Sequence, residues 1–139
     1  MKFKAVFGAA AVALGLGSGA QAQFLTAAEV KPILEMTQDS WLGVRVYDGN
    51  DLLYFTGLVT FRCGLEEVFY GINGEMPSQP LPMEPCDETA PNPSAMDPVK
   101  YPPYMTFPVG SVHSVTLMLM YDDGDIQEVT FERAQIQMQ

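Results

Sequence analysis

From Trp41 the chain alternates. Leu42, Val44 and Val46 interleave with Gly43, Arg45 and Tyr47, the period-two pattern of a strand with one buried face. Asp48-Gly49-Asn50-Asp51 interrupts it with residues that favour turns. The alternation resumes over residues 52–61, with Leu53, Phe55, Val59 and Phe61 on one side, so the two segments predict a hairpin. A third strand is predicted over residues 65–72. It ends at Asn73-Gly74, a pair suited to the positive φ that both central residues of a type I′ turn require. Further on, residues 112–121 place Val115, Leu117, Leu119 and Tyr121 on one face. Asp122-Asp123-Gly124-Asp125 then turns the chain, and residues 126–133 return with Val129 and Phe131 inward and residues 134–138 as an extension.

One segment follows the helical period instead. Thr26 and Glu29 have capping-box spacing, and Val30, Ile33 and Leu34 fall on a single helical face. Pro32 lies inside that pattern and removes a backbone donor, which predicts a short helix kinked or restarted there. Between the third strand and the C-terminal hairpin the composition changes: ten of the 11 prolines lie between Pro77 and Pro108. Proline cannot donate inside a sheet, so this stretch predicts edge strand, extended segment and loop. Residues 79–83 suit a short edge strand beside the third strand, and residues 87–103 form an excursion longer than compact domains usually carry. The expected fold class is mainly all-β: an antiparallel β-sandwich or small barrel of six or seven strands, with one short N-terminal helix and a long Pro-rich loop.

The N-terminus changes the picture from a 139-residue chain to a shorter mature one. Lys2 and Lys4 precede an apolar run over residues 5–17, then Ser18-Gly19-Ala20-Gln21-Ala22, whose small residues suit signal peptidase. The run is too short and too rich in glycine for a membrane span. A cleavable signal over residues 1–22, cut after Ala22, implies a periplasmic or secreted protein with no membrane span in its mature chain. Residues 23–139 suit a single β-rich domain. The signal holds two of the seven basic residues and none of the 17 acidic ones, so the mature chain carries a net charge of −12. That charge opposes binding to nucleic acid or anionic lipid. Cys63 and Cys86, the only cysteines, predict a disulfide in such a compartment, because one histidine cannot complete a zinc site with them.

Candidate chemistry is sparse. His113 is the only histidine and lies inside the predicted strand, where neighbouring Ser114 faces the other way, so no nucleophile and base are paired. Glu66-Glu67, Asp87-Glu88 and Asp122-Asp123 are adjacent in sequence but fall on opposite strand faces or in solvated turns. The sequence therefore predicts a non-enzymatic protein with no cofactor. Two binding chemistries remain. Tyr101, Pro102, Pro103 and Tyr104 form a stiff, aromatic stretch at the end of the long loop, suited to contact with another periplasmic protein or to an accessory role. The alternative is a metal-binding protein: copper through Met118, Met120 and His113, or calcium through the Asp48-Asn50-Asp51 and Asp122-Asp123-Asp125 turns.

Overall fold

Thr26 opens a helix as its spacing predicts, in a computed structural model of the chain that describes residues 24–139. The signal sequence and its cut after Ala22 lie outside the described residues. Thr26 Oγ1 accepts a hydrogen bond from Glu29 N at 3.3 Å, and the Glu29 carboxylate accepts one from Thr26 N at 3.2 Å. Together they satisfy amides that a helix start leaves without partners. The helix, α1, spans Ala27–Met36 as one element and does not restart at Pro32. Pro32 removes a single donor on the exposed side, while Ala27, Val30 and Leu34 hold the other side in the core.

Strand β1 (Gly43–Tyr47) and strand β2 (Asn50–Tyr54) make the expected hairpin, with Asp48 and Gly49 at positive φ in the turn. The buried face of β1 carries Leu42 and Val44 inward but ends before the turn, where Val46 is half exposed. The long second strand is not formed. It stops at Tyr54, and Thr56–Val59 make a short helix, α2, followed by a 3₁₀ turn at Arg62–Gly64. Phe55, Leu58 and Val59 are buried at positions i, i+3 and i+4, a helical spacing in which Phe55 and Val59 also satisfy a period-two reading. Gly57 makes the turn feasible, because a Cβ there would lie 2.2 Å from Ser40 O.

Strand β3 (Leu65–Ile72) agrees with its prediction and ends in the Asn73-Gly74 turn, where both residues have positive φ. Strand β4 pairs beside β3 as expected but covers only Gln79–Pro80, with Leu81 N adding one bond to Val68 O at 2.8 Å before Pro82. Strand β5 (Tyr104–Pro108) is not predicted by the sequence pattern. It lies antiparallel to β2, with Met105 and Phe107 half buried. Strands β6 (Ser114–Tyr121) and β7 (Ile126–Glu132) form the predicted C-terminal hairpin. The extension of that hairpin is corrected. A 3₁₀ turn at Arg133–Gln135 redirects the chain, and strand β8 (Gln137–Met138) joins the other sheet, parallel to β1.

The strands make two four-stranded sheets, β5-β2-β1-β8 and β4-β3-β6-β7. Each is open at both edges, so no barrel closes among the described residues. Both sheets and α1 contribute to one core cluster, which includes Leu34, Trp41, Val44, Leu53, Val68, Leu117 and Leu119. Trp41 is wholly buried. It tilts against Phe131 at 5.9 Å between ring centroids and donates its indole N–H to Leu34 O at 3.0 Å, which satisfies its one polar atom.

Candidate functional site

The Pro-rich excursion is held by a residue that sequence reasoning does not single out. Arg62, in the turn between α2 and β3, is 3 % exposed. Its guanidinium donates only to backbone carbonyls: Nε to Glu84 O at 2.6 Å, Nη1 to Val59 O at 3.0 Å and Ser94 O at 3.2 Å, and Nη2 to Ala95 O at 2.7 Å. Burial pulls the group below its ordinary value, and the nearby Glu84 charge opposes that pull. An arginine in this setting remains protonated. Five N–H groups in a planar fork let one side chain tie three separate stretches of chain together, which lysine could not do.

The next residue anchors the same loop covalently. Cys63 and Cys86 are disulfide-bonded, with Cα atoms 5.1 Å apart, as their pairing predicts. Glu84 adds a third tie, since its carboxylate accepts from Asp97 N at 2.7 Å. Within the loop, Asp97 caps the amides of Val99 and Lys100, and Tyr101 N donates to Asp97 O at 2.8 Å. The excursion is thus a series of turns pinned at its base. The one sign of this in the sequence is an isolated Arg beside Cys63.

The four candidate surface residues divide. Tyr101 and Pro103 line an open groove of about 300 Å³ together with Met96, Pro98 and Thr56 of α2. Pro102 is exposed beside it. Pro103 also fixes the loop to the sheet, accepting from Phe55 N at 3.1 Å. Tyr104 belongs to β5 and packs on Tyr54, 5.2 Å between ring centroids, away from the groove.

The metal candidates do not converge. Met118 and Met120 share one face of β6, the face opposite the buried Leu117 and Leu119. His113 is exposed beyond the strand's start. Five residue steps of extended chain separate it from Met118, about 16 Å at a strand's rise. In the first aspartate turn, the Asp51 carboxylate is fully buried and already bonded to Arg133, Gly110 N and Val112 N. In the second, Asp122 accepts from Ala27 N at 2.9 Å at the start of α1, while Asp123 and Asp125 bind Lys31. Lys31 is raised above its ordinary value chiefly by those two hydrogen bonds, and Asp123 is lowered by the same pairing. These contacts dock α1 on the β6–β7 hairpin. Among the described residues, no group of three or more His, Cys, Asp or Glu is placed to hold a metal ion.

The Asp51–Arg133 pair is likewise absent from the sequence reading. Arg133 Nη1 and Nη2 grip the two carboxylate oxygens at 2.5 and 3.2 Å, and Nη1 donates as well to Val112 O at 2.8 Å. These bonds hold Asp51 down at about 2, with the Arg133 hydrogen bond the largest cause and burial opposing it. By sequence Asp51 is a turn residue, and 81 residues lie between it and its partner, a separation over which sequence carries no pairing signal. Comparison with protein-family models, with curated proteins and with solved structures finds no match to this chain.

Proposed function

We propose that the chain is an exported, non-enzymatic binding domain, periplasmic or secreted, which contacts another exported protein through the Tyr101 groove. One observation carries the reading: a buried guanidinium and a disulfide are both committed to holding a single surface loop. A loop fixed in this way presents Met96, Pro98, Tyr101 and Pro103 already ordered, and pre-ordered apolar surface binds with little further loss of conformational freedom. The scaffold we infer is a mainly antiparallel sandwich, since both sheets supply side chains to one core. Export is supported by the charged, apolar and small-residue order of residues 1–22, and the disulfide suits an oxidising compartment. A binding rather than catalytic role is supported by the isolation of His113 and the structural engagement of Asp51, Asp122 and Asp123.

The test is retention of partners from periplasmic extract by immobilised wild type and by a Met96→Asp, Tyr101→Ala double variant, both shown folded by melting. Proteins held by the wild type should be lost by the variant. If both hold the same set, or neither holds any, the groove has no such role. Export is tested by N-terminal sequencing, which should begin at Gln23.

A further inference from the structure

A second surface, separate from the Tyr101 groove, is the free edge of β7. In the β6–β7 register, Arg133 N donates to His113 O and Tyr121 N donates to Asp125 O, each at 2.8 Å. Antiparallel ladders alternate bonded and non-bonded pairs, so Gln127, Val129 and Phe131 carry the bonds to β6. The N–H and C=O groups of Ile126, Glu128 and Thr130 therefore point to the open edge. At the end of the strand, Glu132 N is already taken by Gln135 Oε1 at 2.8 Å.

The other three edges are blunted, as folded proteins commonly arrange. Strands β4 and β8 are two residues long. Strand β5 turns Tyr104, Thr106 and Pro108 outward, and the proline supplies no N–H. Among the described residues, β7 offers the longest free ladder.

A cleft lies along this edge. Two concavities, of about 300 and 410 Å³, separate β7 from α1 and share Glu35. Their walls carry Glu35, Asp39 and Asp125, with Met36 largely exposed at the lip. The one cation among their lining residues, Lys31, is bound by Asp123 and Asp125. Glu128 and Glu132 add negative charge on the strand itself. A second copy of the chain is a poor occupant, because each copy has a formal net charge of −10 and would bring the same glutamates to the joint.

We infer that β7 and α1 form a site for an extended, basic segment of a partner protein, which adds as a fifth strand to the β4-β3-β6-β7 sheet. Backbone bonds to Ile126, Glu128 and Thr130 would hold the strand, and lysine or arginine at alternate positions on the α1 side would meet Glu35 and Asp39.

The probe is a capped nine-residue peptide alternating Lys with Val, compared with one in which the central two Val are replaced by Pro. NMR titration and amide exchange on the mature protein are the readouts. The alternating peptide should raise protection of the Ile126, Glu128 and Thr130 amides at least tenfold, and the Pro-containing peptide should not. Thr130→Pro removes one outward donor and leaves the backbone ladder to β6 intact, though it also loses the Thr130 hydroxyl's 2.9 Å hydrogen bond with Thr116 of β6, and it should weaken binding tenfold or more. Glu35→Lys leaves the backbone unchanged and should weaken it similarly, which decides the matter if the proline variant fails to fold. The Met96→Asp, Tyr101→Ala variant should bind as the wild type does, so this site and the groove can fail separately. Equal binding of both peptides, no protection at the three amides, or unchanged affinity in folded Thr130→Pro would each overturn the proposal.

Discussion

Asp51→Asn is the sharpest test of how the two ends of the domain are joined. Asp51 accepts from Gly110 N at 3.0 Å, from Val112 N at 3.2 Å and from both Arg133 terminal nitrogens, and none of its surface reaches solvent. Asparagine keeps one oxygen and turns an NH₂ group toward donors, so at least one of these bonds becomes a donor–donor clash and the arginine loses its counter-charge. Removing one partner of a buried pair costs about 3–5 kcal/mol. The Arg133 side chain is 28 % exposed and keeps its bond to Val112 O, which places the expected loss near the lower end, about 3 kcal/mol. The pH dependence provides a second check. Asp51 sits at about 2 against an ordinary 3.8, so its ionisation favours the folded state above pH 4 and that contribution fades as pH falls toward 2. At 1.36 kcal/mol per unit, the contribution is about 2 kcal/mol. Urea unfolding followed by the fluorescence of Trp41, the only tryptophan and wholly buried, should give a deficit of about 3 kcal/mol at pH 7 that narrows to about 1 kcal/mol near pH 2. A deficit below 1 kcal/mol at pH 7, or one that is unchanged at low pH, would refute the account.

The remaining expectations concern the loop and one close packing contact. Arg62→Met should cost about 3 kcal/mol by leaving the Glu84, Ser94 and Ala95 carbonyls without their donor. It should also open residues 84–100 to limited proteolysis at protease concentrations that leave the wild type whole; equal resistance would remove the clasp. Cys63→Ala with Cys86→Ala releases a cross-link spanning 23 positions and should cost about 3 kcal/mol in the same urea assay. Gly57→Ala drives a methyl group against the Ser40 backbone and should destabilise by about 2 kcal/mol, seen as a melting temperature lower by about 10 °C. Unchanged melting would mean that α2 can shift without loss.

What is legible in the sequence is local. Thr26 with Glu29, Asn73-Gly74 and the alternation of Val115, Leu117 and Leu119 each state a preference within a few residues, and the structure follows all of them. The cysteine pair is legible for a different reason, since two cysteines leave a single possible pairing. The misreadings share a cause as well. Phe55 and Val59 fit a strand as well as a helix, and the helix that forms brings Gly57 so close to Ser40 that a Cβ there would clash with its carbonyl, a contact outside the local pattern. Strand β5 is obscured by the prolines flanking it, and β8 by its choice of β1 over the neighbouring hairpin, a choice made by packing. The candidate surfaces depend most on long-range geometry. The aromatic stretch is visible as composition, but the sequence does not place Tyr101 in a groove and Tyr104 on Tyr54. The roles of Arg62 and Arg133 are not legible beyond Arg62's place beside Cys63, because a buried arginine is identified by the distant carbonyls and carboxylate around it. In an acidic domain with few cations, three of them are fixed by specific partners. Arg62 holds a loop, Arg133 joins sheet to sheet, and Lys31 docks the helix. With Lys31 held by Asp123 and Asp125, Glu35 and Asp39 keep the cleft beside β7 negative, the condition on which the proposed basic-strand site rests.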